Sequence, residues 1–278
     1  MFFLFFFFAV FLQDPVVRVE AILVDCKDAV SVSLATDGSL YLSDRGVNSI
    51  IQYSLGRTRS FGETGWGNDS FDNPSDICAS FFLDIYVTDK NNNRIQRFDK
   101  NMVFIETIAK NSGYNIDSFR PQACAITYQG EIIILESESQ RIVKLNPKNK
   151  ESVEFTSYNK GPGAFRDLKD ISISPDNNVI VLDRDRILIF DLFGNFARTI
   201  SLEPGNNWKT IFSDHSRLFA VSSQKIVAFN FDGGLLFEIT SSSIPGFPTD
   251  DFRDICASDS SLFILTAKEL LHCSLLLN

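Results

Sequence analysis

The 278 residues read as an all-β chain, a six-bladed β-propeller whose N-terminal strand closes the last blade. Two observations predict it. A unit of strand, turn, strand, turn, strand recurs six times, and one strand-like segment near the N-terminus belongs to no unit. The clearest unit runs Asp76-Ile77-Cys78-Ala79, then Ile85-Tyr86-Val87-Thr88-Asp89, then Arg94-Ile95-Gln96-Arg97-Phe98, with Asn91-Asn92-Asn93 in the turn. A repeat near 45 residues built only of short strands marks a propeller blade, since such a unit buries its faces only against its neighbours.

The units are counted from the end of the second strand, at Asp44, Asp89, Glu136, Asp183, Ser222 and Thr266, with intervals of 45, 47, 47, 39 and 44 residues. Six such units account for the chain after a short leader, so residues 14–278 form one domain. A third strand follows each landmark, as in Arg94–Phe98, Arg141–Leu145 and Arg186–Phe190. Its alternation of polar and apolar residues is the period-2 signal of a half-buried strand. The Asp landmarks cap the turn that follows by accepting its backbone amides, and Arg94 and Arg186 are placed to pair with them.

The sixth unit lacks a fourth strand. Val16–Val24 alternates like a strand and is predicted to supply it, because an open third strand would leave unpaired backbone groups at an edge. Ahead of it, Met1–Leu12 is almost wholly apolar, too short to span a bilayer as a helix, and residues 1–13 read as a secretory signal peptide. A periplasmic or secreted location is therefore expected. The charge is −9, from 26 Lys+Arg and 35 Asp+Glu. Phosphate repels such a chain, which argues against nucleic acid as a partner.

The run Phe71-Asp72-Asn73-Pro74-Ser75-Asp76-Ile77, with Ile85–Asp89, Asn93–Asp99 and the preceding loop Phe61-Gly62-Glu63-Thr64-Gly65-Trp66-Gly67, resembles the NHL repeat. The likeness is clearest in the first two units and faintest in the last two. It implies a six-bladed ring of the kind found in bacterial exported NHL-repeat proteins, with a binding surface and no particular reaction. Lyases on related propellers use a histidine-bound zinc, which takes three or four protein ligands. The two histidines here, His215 and His272, lie in different units and cannot supply such a site.

Two candidate sites follow. Thirteen residues before each landmark lie Ser31, Asp76, Ala123, Asp170 and Lys209, and with one deletion Asp254. These begin the innermost strands, so Asp76, Asp170 and Asp254 are predicted to gather at one mouth of the central channel. Lactonases on six-bladed propellers hold calcium there, and a hard cation wants such oxygen ligands. The three Asp are the candidate metal ligands and calcium the one candidate cofactor, although the residues equally suit a solvated rim. The second site is the face bearing the loops that lead into each blade, with Trp66, Tyr114, Tyr158 and Trp208 as candidate ligand-binding residues. Aromatic rings beside Gly and Asn suit recognition of a protein or a glycan, and equally suit plugs between blades. The reading is an exported, non-catalytic binding or scaffold propeller without a cofactor. Its alternative is a metal-dependent lactonase- or lyase-like enzyme acting at the channel mouth.

Of the five cysteines, Cys78, Cys124 and Cys256 read as small apolar residues of the inner strands. Cys26 and Cys273 flank the predicted closure, where a disulfide is one option and free thiols the other.

Overall fold

A computed structural model describes residues 15–114, 116, 119–155, 161–247, 251–258 and 261–276. The leader Met1–Leu12 lies outside the described residues. Six four-stranded antiparallel sheets form six blades. Blade 2 is representative, with Pro74–Ala79 innermost, then Ile85–Asp89, Arg94–Phe98 and Phe104–Ala109 outermost. The inner strands of the other blades are Ala29–Leu34, Ala123–Ile126, Leu168–Ile173, Thr210–Ser213 and Asp254–Ser258. Neighbouring inner strands touch in an unbroken circuit, with the first packed against the sixth, so they line a central axis.

Second strands such as Ile132–Glu136 and Val179–Asp183 are buried at every position. Each is sandwiched between its own blade and the adjacent ones, which is why these stretches read as continuous apolar runs. The core is accordingly a series of interblade layers. One holds Ile180, Leu182, Ile187, Trp208, Ile211 and Leu218 from blades 4 and 5. Another holds Tyr41, Ile50, Phe71, Ile77, Ile85 and Phe98 from blades 1 and 2.

The ring closes as the sequence predicts. Val16–Asp25 pairs antiparallel with Glu269–Leu276, in register from Val16 opposite Leu276 to Asp25 opposite Glu269. The last blade therefore has strands from both ends of the chain. Cys26 and Cys273 are free thiols, so no disulfide seals the closure. Cys273 lies opposite Val19, whereas the Cys26 amide donates to the Lys268 carbonyl at 2.6 Å.

The Asp landmarks brace chiefly the loop leading into their own blade. Among the described residues only Asp44 accepts a backbone amide of the turn that follows, which the sequence predicts for all three. Asp44 accepts the amides of Lys27, Asp28 and Gly46 at 2.7–2.9 Å. Asp183 accepts those of Arg166 and Asp167 and pairs with Arg186. Among the described residues no helix is long and apolar enough to cross a membrane.

Candidate functional site

Inner strands begin on the face where second strands end, so the channel mouth, the landmark turns and the blade-leading loops share one side. The mouth is a cavity of ≈ 210 Å³ whose lining includes Asp76, Asp170, Asp254, Thr210, Lys209 and Arg253. Asp76, Asp170 and Asp254 occupy equivalent positions, opposite Thr88, Leu182 and Leu265 of their second strands. The equivalent in blade 5 is Thr210, opposite Val221, and not Lys209 as expected from the sequence. The Ser213–Leu218 hairpin is one residue shorter than its counterpart in blade 4, which shifts the count by one.

The three acids staple alternate blade interfaces. Each accepts the next amide of its own strand and one amide of the following blade. Asp76 takes Ile77 at 2.8 Å and Cys124 at 2.7 Å. Asp170 takes Ile171 and Ile211, both at 2.8 Å. Asp254 takes Ile255 and Val32, both at 2.8 Å. Hydroxyls reinforce the ring. Ser31 donates to Asp76 at 2.7 Å, and Thr210 contacts both Asp170 and Asp254. A threefold polar pattern thus runs inside a sixfold fold.

Burial raises all three carboxyls above their usual range. Asp254 reaches about 7 through burial and the nearby charge of Asp76, against the lowering effect of its amide donors. Asp170 is pushed well above its ordinary value by burial and by the charges of Asp76 and Asp254. Calcium would need six to eight oxygen ligands. The carboxylate oxygens here already receive backbone and hydroxyl donors, and among the described residues no three His, Cys, Asp or Glu side chains come together as a metal site. The donor set does not fit the calcium cage expected of Asp76, Asp170 and Asp254.

Above the acids stands a cationic rim, of which the sequence reading placed Lys209 alone. Lys169, Lys209 and Arg253 each precede a ring position, and Arg45 and Lys90 come from landmark turns. The signal was available in the repeated basic residue one place before the ring. Most of the rim is paired, with Lys169 on Asp167 at 3.0 Å, Lys209 on Asp251 at 3.3 Å and Arg45 on Asp28 at 2.7 Å.

The loop aromatics separate into different fates. Trp66 is 74% exposed. Its loop is held from beneath by Arg94, which donates to the carbonyls of Trp66, Gly67 and Ser70 at 2.8–2.9 Å. Asn92 adds a bond to the Gly65 carbonyl at 2.8 Å. Asp89, wholly buried, fixes the clamp by accepting from Arg94 at 2.7 Å and Asn92 at 2.8 Å. Phe71 fills the space under the loop, and Gly62, at φ 91°, lies so close that a Cβ there would strike its ring.

Tyr114 and Trp208 are buried, which corrects the expectation that they face a ligand. Tyr114 packs between blades 2 and 3, and its hydroxyl meets Glu106 at 3.0 Å. Trp208 packs between blades 4 and 5 and donates from Nε1 to the Glu203 carbonyl at 2.9 Å. Tyr158 lies outside the described residues.

Residues 71–98 match the NHL repeat family. No curated protein matches the chain. Solved structures with the same architecture include a catalytically inactive virginiamycin B lyase from Staphylococcus aureus with quinupristin, 10% identical over 95% of this chain and 100% of that one, TM-score 0.68. A gluconolactonase from Xanthomonas campestris is 14% identical over 92% and 89%, TM-score 0.68. A chain of a nidogen/laminin complex is 12% identical over 77% and 81%, TM-score 0.61. At these identities the likeness shows the fold alone. The fold and the matched segment together define a six-bladed β-propeller carrying an NHL repeat.

Proposed function

We propose that the protein is an exported binding propeller that recognises a protein or a cell-surface glycan through the face bearing its blade-leading loops. The carrying observation is Trp66, a large ring left 74% exposed on a loop whose backbone is clamped by Arg94. A preorganised aromatic loses little conformational entropy on contact, which favours affinity. The apolar leader supports delivery to the periplasm or the exterior. No nucleic acid and no membrane span belong to this reading. The acidic ring has a structural job that leaves its oxygens occupied, which supports a binding role over catalysis.

The test compares wild type with Trp66→Ala in capture of envelope-fraction proteins and on a glycan array. A loss of at least about 2 kcal/mol, roughly 30-fold, is expected with an unchanged circular dichroism spectrum. Equal capture by both would move the binding surface elsewhere.

A second reading, a lactonase- or lyase-like reaction at the channel mouth, is favoured by one observation. Asp254, raised to about 7 and lining the cavity, is poised for proton transfer at neutral pH. Turnover of lactone substrates that is lost in Asp254→Ala, with the fold retained, would establish it. A rise in melting temperature with millimolar calcium would show that the acid ring rearranges to take a cation.

A further inference from the structure

The inner strands of blades 2 and 3 bring two cysteines together. Cys78 Sγ lies 2.9 Å from Cys124 Sγ, although the residues are 46 positions apart. A bonded pair stands at about 2.05 Å, so closing the gap needs a shift on the order of 1 Å. The strands are already tied here, because the Cys124 amide donates to Asp76, two residues before Cys78. Thr88 also contacts Cys124 Sγ at 3.5 Å.

The rest of the ring supplies an internal control. Cys256 holds the place of Cys78 in blade 6, two residues after Asp254, and it packs in an apolar layer with Val32 of blade 1, whose place in its own strand is that of Cys124. The motif therefore recurs, but only the interface between blades 2 and 3 sets a thiol on both sides.

We propose that Cys78 and Cys124 form a disulfide that staples the inner strands of blades 2 and 3. The oxidant is a small-molecule or protein disulfide. The thiolate of Cys78, the more exposed of the two, attacks one sulfur of the oxidant and releases a thiolate. Cys124, having lost its proton, then attacks Cys78 Sγ in the mixed disulfide and releases the second thiolate. Two protein thiols and one disulfide become one protein disulfide and two thiols, with two electrons passing to the oxidant. Burial holds the Cys78 thiol well above its ordinary value, so the first step is slow at neutral pH and faster in alkali. The bridge encloses the three outer strands of blade 2, and so cross-links the blade that presents Trp66 to its neighbour.

The experiment uses the full chain, reduced, desalted and incubated with oxidised glutathione at alkaline pH. Thiols titrated in denaturant should fall from the five of the sequence by two, and peptide mapping of the wild type should show one cross-link, joining Cys78 to Cys124. The bridged form should melt roughly 5 °C higher. Cys256→Ser should lose two thiols as the wild type does, whereas Cys78→Ala and Cys124→Ala should form no internal bridge. Retention of all thiols, glutathione adducts without a cross-link, or a cross-link through Cys26, Cys256 or Cys273 would each overturn the proposal. An unchanged melting temperature in the mapped, bridged protein would overturn its role as a staple.

Discussion

Blade 2 and blade 5 have the same four strands but brace them differently. In blade 2 the landmark is Asp89, a buried carboxylate holding Arg94, which in turn holds three carbonyls of the loop above. In blade 5 the landmark is Ser222, whose hydroxyl only accepts the Lys225 amide and donates back to the Lys225 carbonyl. Lys225 reaches outward instead, to Glu203 and Glu238. The plugs differ too. Blade 2 fills the space before its inner strand with Phe71, leaving Trp66 free, whereas blade 5 has no Phe there and draws Trp208 inside. Trp66 is thus exposed where another ring already fills the interblade space and a buried ion pair holds the loop, and Trp208 is buried where neither is present.

Removing the braces should break this contrast most strongly. Arg94→Ala strands the buried Asp89 carboxylate and frees three loop carbonyls, and a loss of about 3–5 kcal/mol is expected. Lys225→Ala, whose partners sit in solvent, should cost a small fraction of that. Urea denaturation of both variants checks the difference, and equal losses would show that blade 2 is not specially braced. Next in size, Trp208→Ala opens a cavity between blades 4 and 5 and should cost about 3 kcal/mol or more. Trp66→Ala should stay within about 0.5 kcal/mol. Thermal melts of this pair separate plug from exposed ring, and a large loss at Trp66 would remove the case for a free binding residue.

Much of this was legible in the sequence, and the exceptions have identifiable causes. Strand alternation, turn residues and the orphan segment Val16–Val24 are local signals, and together they define the blades and their closure. The pairing of Asp89 with Arg94 and of Asp183 with Arg186 was legible for the same reason. The amides that these acids and Asp44 accept come chiefly from the loop leading into the blade, which no local signal gives. The fates of Trp66 and Trp208 were not separated, because both lie beside Gly or Asn. The distinguishing signal, the lack of a Phe before Thr210, lies in the comparison of units and not in either loop. Tyr114 could not be placed even so, since blade 3 buries it together with Phe119, and its partner Glu106 comes from the preceding blade. The Cys78–Cys124 contact likewise depends on the spacing of neighbouring blades, which no single unit encodes. The assignment of Lys209 to the ring failed on a one-residue difference in a hairpin.

The smallest effect concerns the ring itself, where blade 2 sets Asp76 and blade 5 sets Thr210. Even-numbered blades supply the carboxylates and one amide for each, and odd-numbered blades supply the second amide. All three acids are raised by burial above their ordinary values, with Asp254 at about 7. The folded protein therefore keeps protons that the unfolded chain, with carboxyls near the usual value of about 3.9, has already released. Where the folded state binds more protons, stability falls as pH rises. The contribution of Asp254 should thus decline from about pH 4 to about pH 7 and level off above it, and the raised Asp170 adds a decline of the same sign. The single hydroxyl proton of Thr210 lies between Asp170 and Asp254, and the contact lowers both. Thr210→Val should shift the decline to higher pH, while Ser31→Ala, acting on Asp76 alone, should shift it less. Melting temperatures of the three proteins between pH 4.5 and 9 check the order. A wild-type curve that climbs from pH 5 to pH 8 would mean that the amide donors outweigh burial, and that the ring is ionised throughout.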